Sequence, residues 1–284
     1  MTYIVKKIDV FDEDMIADVL SVLNTSFIGD FNFTAEWFRW KHIDSYYGQS
    51  LAWGAFYNDH LVGIRLYSKW HSFGQAESYL QAVDTATLPE HQRKGIFALL
   101  IKESLKYIDD NKIKVFNFPN KNSYNQYLKY GWKDSTSINW FFSIFWQAII
   151  PKSMLSYSGS SVNSKCKTSL DFIEWRFCKN PSYQYEVFFG EYSVIVFKKV
   201  KKILTYYQVV YCDFDDRDIK SLNFFLSKNK IFITRAISSD LGVVEMVKIM
   251  SPMILKNGNK GFNFVTRGVE FEPLSVSLAD TDFI

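Results

Sequence analysis

Three cysteines, Cys166, Cys178 and Cys212, and four scattered histidines are the whole supply of soft metal ligands in this 284-residue chain, and they follow no metal-binding spacing. So few thiols also exclude a disulfide framework; the expectation is a reduced, cytoplasmic protein whose cysteines pack, with no metal. Charge of one sign is equally short. Lys and Arg total 33 against 30 Asp and Glu, a formal net charge of +3, too mild an excess to support a nucleic-acid partner. No long hydrophobic run is present. The most apolar stretch, residues 138–150 (INWFFSIFWQAII), is broken by Asn139, Ser143 and Gln147 and is too short to cross a bilayer. It reads as a buried strand pair, with a patch resting on a membrane or partner as the alternative. The first residues, MTYIVKKIDVFDEDM, alternate and carry charge, unlike a signal peptide.

Aromatic carbon is abundant: 26 Phe, 17 Tyr and 8 Trp within a 48 % apolar composition. Length and apolar content together predict two domains with sizeable cores. Residues 3–10 read as a strand, and Asp12 or Asp14 as the cap of a helix over 15–23. Residues 36–42 form a short helix with Trp37 and Trp40 on one side. Strands over 51–57 and 61–70 are joined at Asn58-Asp59, a tight-turn signal. A long strand over 77–88 follows, then an amphipathic helix over 95–109 carrying Ile96, Leu99, Leu100, Leu105 and Ile108 inward. A strand at 115–118, a helix at 123–130 ended by Gly131 and aromatic-rich strands over 133–149 complete the first part. Helices interleave with strands throughout, so the fold class is α/β or α+β. The boundaries are 1–150 and 151–284, the second part opening with a serine-rich linker to about residue 169.

Past that linker the chain begins again. Ile173-Glu174-Trp175-Arg176 echoes Phe38-Arg39-Trp40-Lys41, and the hairpin of 185–189 and 193–197 around Gly190-Glu191 echoes the one at Asn58-Asp59. Two echoes at similar offsets suggest a degenerate repeat. A strand over 203–213, a helix over 219–226 and strands near 231–236 and 262–266 follow.

Residues 81–100, QAVDTATLPEHQRKGIFALL, carry the chemistry. A polar-dotted strand breaks at Pro89 into a basic turn, and the turn opens a helix at Gly95. First-turn helix amides have no intrahelical partner and converge on one point, as a pyrophosphate requires. Gly95 lets the backbone approach, and Arg93 and Lys94 supply a fork and a point charge. By itself this is a plausible anion cradle and equally a solvated helix start. It is neither the three-glycine dinucleotide turn nor a phosphate loop ending in Gly-Lys-Ser/Thr.

With Asn120 and Tyr127-Leu128-Lys129-Tyr130-Gly131-Trp132, this segment resembles the GCN5-related N-acetyltransferase (GNAT) superfamily over about residues 3–147. The family turn Gln/Arg-x-x-Gly-x-Gly/Ala falls on Gln92, Arg93, Lys94, Gly95, Ile96 and Phe97. The resemblance implies that these backbone amides bind the pyrophosphate of acetyl-CoA, a co-substrate. It also implies that Thr85, Ala86 and Thr87 pair with pantetheine as an added strand, with Asn120 near the CoA backbone or the local turn. Tyr127, matching the family's Tyr-x-x-x-Gly-Phe, inherits protonation of the leaving thiolate. Phe97 departs from the family's small residue, and no catalytic Glu stands at the usual strand site. The second half resembles the family only through the echo, as in tandem transferases with a degenerate second copy.

The reaction implied is direct attack of a primary amine on the thioester in a ternary complex. Asp84, Glu77 and His91 are the carboxylate and imidazole candidates for taking the amine's proton; two-residue alternation can turn Asp84 towards the cleft, and it also reads as a strand-end hydrogen-bonding carboxylate, with His91 flanking the turn, Glu77 at the strand entry and water as an equal route. Trp37, Trp40 and Tyr46, with Arg65 and His71, fall where the acceptor side begins. A two-domain build and a slight positive charge suit a nucleotide-linked amino sugar, with a peptide or small amine as alternative. Other readings are a non-catalytic CoA-binding or interaction protein, which would dock a partner or form a homodimer, and a tRNA-dependent aminoacyl transferase of peptidoglycan precursors.

Overall fold

The computed structural model describes residues 2–27, 29, 31–71, 78–134, 138–145, 165, 168–237, 240–251 and 253–268, with backbone alone for Ser78 and 253–262. Glu77, residues 146–150 and nearly all of the serine-rich stretch lie outside them. The chain divides into two compact units, Met1–Thr136 with Phe264–Glu272, and Ser137–Asn263 with Pro273–Ile284.

In the first unit β1 (Ile4–Ile8) pairs antiparallel with β2 (Leu51–Tyr57), which turns into β3 (His60–His71). The turn residues Asn58 and Asp59 have φ of 49° and 63°, the left-handed pair that a two-residue hairpin demands and that Asn and Asp tolerate. β3 pairs antiparallel with β4 (Ser78–Thr87), and α3 (Ile96–Asp110) carries the chain over to β5 (Lys114–Asn117), parallel to β4. After α4 (Lys121–Lys129) comes the short β6 (Lys133–Asp134). β13 (Val265–Arg267), from far along the sequence, lies between β5 and β6 and pairs antiparallel with both. The sheet order is β1-β2-β3-β4-β5-β13-β6.

Packing follows the side-chain pattern. Ile96, Leu100, Ile101, Leu105 and Ile108 of α3 share one core with Trp53, Ala55, Tyr67, Leu80, Ala82 and Val115 of the sheet. α1 (Glu13–Ser26) packs against β3 and β4, its start capped by the Asp12 carboxylate, which accepts from the amides of Asp14 and Met15. α2 (Ala35–Phe38) runs directly into a π turn at Arg39–Ile43, a local widening of the helix that occurs often at functional sites.

The second unit repeats this order. α5 (Leu170–Ile173) also runs into a π turn, Glu174–Cys178, followed by the hairpin β8 (Tyr185–Phe189) and β9 (Val194–Val200). Then come β10 (Tyr206–Asp213), α6 (Ile219–Lys228), β11 (Ile233–Ile237), α7 (Leu241–Met250) and β12 (Met253–Phe262). β11 is parallel to β10, as β5 is to β4. Its sheet is completed by β7 (Ile138–Ile144), in the order β12-β7-β11-β10-β9-β8. β7 occupies the place beside β11 that β13 occupies beside β5. Each sheet thus takes one strand from the other part of the sequence, which is why the units divide before β7 and close again at residue 264. The core gathers Phe145, Phe197, Leu222, Leu226, Val243, Met246 and Val247. Three elements depart from the sequence reading. It has no counterpart of α7 or of β12 before residue 262, and Ile203 and Leu204, expected in a strand, are exposed in the β9–β10 turn.

Candidate active site

The centre of the first unit is a bulge. Leu66 pairs with Val83 and Ile64 with Ala86, so Arg65 of β3 faces two residues of β4, Asp84 and Thr85. Asp84 takes up the extra length with φ of 39°, a conformation costing a β-carbon-bearing residue about 1–2 kcal/mol. Such stored strain is common at functional sites. The bulge sends the two side chains to different partners.

Thr85 meets Arg65. The guanidinium is fully buried, and its Nη1 donates to Thr85 Oγ1 at 3.2 Å and to the Tyr127 hydroxyl at 3.0 Å. Nε donates to the Tyr67 hydroxyl at 2.5 Å. Tyr67 in turn lies 2.8 Å from Ser104 Oγ, whose hydrogen is committed to the carbonyls of Leu100 and Ile101, so Tyr67 is the donor there. Burial pulls the Arg65 pKa down, but the hydroxyls of Tyr127 and Tyr67 more than offset it and Arg65 stays protonated. Burial raises the Tyr67 pKa, against the pull of Arg65, and keeps that phenol neutral. Tyr127 is 3 % exposed. Its oxygen accepts from Arg65, and its own hydrogen has no acceptor among the described residues. The ring is held edge-on by Phe97 and Trp132. Phe97, the residue that departs from the family turn, therefore packs on the motif tyrosine.

Asp84 meets Lys41 and His42 of the π turn. Lys41 Nζ lies 2.7 Å from Asp84 Oδ2, with side chains 10 % and 7 % exposed. His42 Nε2 approaches the same oxygen at 3.1 Å, an off-axis contact rather than an aligned hydrogen bond, while its Nδ1 is 2.9 Å from Ser50 Oγ. Burial pushes the Asp84 carboxyl up, and the Lys41 ammonium with His42 more than offsets it, leaving a pKa of about 2. Burial holds the His42 pKa below its usual value, against the pull of Asp84, so its imidazole is neutral near pH 7.

The residues expected on the donor side line up along one strand and turn. β4 pairs with β3 as far as Thr87, but with β5 only at Tyr79, Leu80 and Gln81. From Ala82 through Thr85 and Ala86 to Thr87, its β5-side edge has no partner strand among the described residues. The chain then bends through Pro89–His91, and Gln92 Nε2 donates back to the Thr87 carbonyl at 3.1 Å. Arg93 and Gly95 both take positive φ, 60° and 81°. A β-carbon at Gly95 would meet nothing within 4 Å, so glycine is needed there for its left-handed conformation rather than for space. α3 then starts at Ile96 with no side-chain cap, leaving its first amides for an incoming acceptor. Arg93 and Lys94 are exposed and make no ion pair among the described residues.

Other candidates fall elsewhere. Asn120 caps α4, its Oδ1 accepting from the amides of Asn122 and Ser123 at 3.0 Å each, so its carbonyl serves the local turn. His91 is tied to the Tyr3 hydroxyl at 3.0 Å. Trp37 and Trp40 are buried in the core, and Tyr46 is exposed; His71 stacks on Tyr47. The sequence reading missed the link from Arg65 to Tyr127 and the roles of Lys41 and His42. The available signal was a lone arginine inside the apolar strand LVGIRLY, since an arginine is almost never fully buried without partners.

A family model described as an acetyltransferase (GNAT) domain matches residues 7–134. A GCN5-related N-acetyltransferase from Anabaena variabilis is similar in structure, with a TM-score of 0.65 at 12 % identity over 94 % of this chain and 72 % of that one. A probable N-acyltransferase from Enterococcus faecalis gives 0.61 at 12 % identity, over 94 % and 73 %. A putative acetyltransferase from Pyrococcus horikoshii gives 0.52 at 12 % identity, over 97 % and 93 %. No curated protein matches the sequence. Among the described residues no helix is long and apolar enough to cross a membrane. Residues 7–134, which hold the bulged strand, the glycine turn opening α3 and the tyrosine of α4, thus match a GNAT acetyltransferase domain.

Proposed function

We propose that the protein is an acetyl-CoA-dependent N-acetyltransferase that moves the acyl group to a primary amine by direct attack. The observation carrying this reading is the free β4 edge at Ala82–Thr87, which ends in the Gln92–Gly95 turn and passes beside the Tyr127 hydroxyl through Arg65. An extended pantetheine fits such an edge as an added strand. The amides opening α3, with Arg93 and Lys94, suit the pyrophosphate. The amine nitrogen forms its bond to the thioester carbon, the carbon–sulfur bond breaks, and the thiolate takes the Tyr127 proton. The phenolate left behind sits against the Arg65 guanidinium, a charge-assisted partner in place when charge develops.

Asp84 has a different part in this scheme from the base named for it above. A carboxyl with a pKa of about 2 and an ammonium at 2.7 Å holds a proton too weakly to take one from an amine. We assign it to holding the π turn in place, and the amine's proton to water. The acceptor class suggested by the two-unit build is a nucleotide-linked amino sugar, with a peptide or small amine as the alternative.

Calorimetric titration of acetyl-CoA into the wild type and Gly95→Trp tests the donor site. Tight binding lost in the variant is expected; equal binding in both, or none in the wild type, overturns the reading. Tyr127→Phe should lower turnover about a hundredfold or more while leaving acetyl-CoA affinity within a few-fold. Unchanged turnover would remove the acid role alone.

A further inference from the structure

One end of the second unit carries a surface that the transfer chemistry does not use. Between Glu191 and Asp213 the sequence has no carboxylate and four lysines, Lys198, Lys199, Lys201 and Lys202. Between Asp218 and Asp240 it again has no carboxylate, and Lys228 and Lys230 stand where α6 gives way to β11. The two segments meet, because the Tyr207 hydroxyl at the start of β10 donates to the Asn229 carbonyl. Lys199, Lys201, Lys202, Lys228 and Lys230 are all exposed. Lys198 is turned away over the Tyr183 ring. The nearest carboxylate on a neighbouring strand, Glu186, pairs with Phe197, inward of the turn.

Apolar side chains stand in the middle of this charge. Ile203 is as exposed as a side chain can be and Leu204 is 60 % exposed, both in the β9–β10 turn, with Phe232 at 37 % beside Lys230. Water is a poor environment for them.

We propose that this end of the second unit is a docking surface for an anionic phospholipid bilayer, with Ile203 and Leu204 entering the headgroup layer and the lysines around them on the lipid phosphates. Charge selects the occupant's sign and the apolar tip selects its kind. An acidic protein would need a preformed pocket for two protruding aliphatic side chains and a footprint larger than a turn and one adjacent loop present. A fluid bilayer needs neither. Each lysine near an anionic surface multiplies partitioning about fivefold, and the buried aliphatic carbon adds to that. The inference is independent of the acyl-transfer reading.

Co-sedimentation of the full chain with phosphatidylcholine vesicles, with and without phosphatidylglycerol, tests it. Binding to the anionic vesicles at least about tenfold above the neutral ones is expected, weakening as salt rises. Lys201→Glu with Lys202→Glu should abolish it, and Ile203→Ser with Leu204→Ser should weaken it several-fold. All four side chains are exposed, so folding is untouched and an unchanged circular dichroism spectrum checks this. No preference for anionic vesicles overturns the proposal. So does full binding by the serine variant, which would mark a purely electrostatic site suited to an acidic macromolecule instead.

Discussion

Replacing Asp84 by Asn tests whether the ion pair under the β4 bulge is a structural strut or a proton acceptor. The carboxyl pKa is about 2 in the folded protein against an ordinary 3.8. A depression of nearly two units corresponds to about 2 kcal/mol of stability. Because the folded pKa is the lower one, that stability is fully present above pH ~4 and is lost as pH falls towards ~2. His42, whose pKa is lowered mainly by burial, acts in a separate window. Its contribution is present above the ordinary histidine pKa of 6.5 and declines as pH falls below it. At neutral pH Asp84→Asn should cost about 3–5 kcal/mol, since it strands the Lys41 ammonium, 10 % exposed, without its counter-charge. Lys41→Met combined with Asp84→Leu should recover most of the loss, because a buried pair is replaceable by apolar groups of similar volume. Urea denaturation of the three proteins at neutral pH, and of the wild type and Asp84→Asn between pH 4 and 2, supplies the numbers. A cost below about 1 kcal/mol for Asp84→Asn, or a gap from wild type that does not narrow in acid, refutes the strut. An ascending limb of kcat/KM near neutral pH that disappears in Asp84→Asn would restore the base.

Three further outcomes follow from the same geometry. Arg65→Lys keeps a charge but cannot hold Tyr67, Thr85 and Tyr127 together, so kcat should fall about ten- to a hundredfold with acetyl-CoA affinity little changed; stopped-time assays with an unchanged kcat would refute it. A chain ending at residue 150 lacks Phe264 and Val265, buried against β5, and should lose about 3–6 kcal/mol, so that a cooperative unfolding transition at the wild-type midpoint would contradict the strand assignment. Acetyl-CoA should bind once per chain, and a calorimetric stoichiometry of two would place a second donor site in the second unit.

Local chemistry made much of the first unit legible. Asn58-Asp59 announces a hairpin because those two residues tolerate positive φ, and α3 shows itself by apolar periodicity after a glycine. The side to which Asp84 turns was not legible, since a single extra residue in β4 defeats a reading based on strict alternation. Nor was the partner of Arg65, because Tyr127 is 62 residues away and no local pattern records such a pair. β7 and β13 pair with strands far off in the sequence, a choice that no local pattern records. Ile203 and Leu204 looked like the start of a strand because they are aliphatic, and only their exposure separates them from the core.

The second unit keeps the frame of the proposed donor site and reverses its charge. β10 enters a 3-10 turn at Asp216–Asp218 and then α6, the order in which β4 leads through Pro89–His91 to α3. Where the first unit offers Arg93, Lys94 and a left-handed glycine, the second offers Asp215, Asp216 and Asp218 around a single Arg217. That arginine is already forked onto Asp215, at 2.7 and 2.6 Å, and the Asp218 carboxylate accepts from the amides of Glu191 and Tyr192. A pyrophosphate would meet like charge there, at a cost of about 4 kcal/mol for each pair of unit charges 4 Å apart near a protein surface. β10 is bulged as β4 is, but the extra residue is Val210, fully buried, with neither the carboxylate nor the hydroxyl of Asp84 and Thr85. The strand order and the π turn recur in the second unit, so its fold does not depend on the donor chemistry. What separates a transferase site from its frame is therefore a handful of side chains at one bulge and one turn, which is why Gln92–Gly95 and Arg65 carry the functional reading while the shared topology carries none of it.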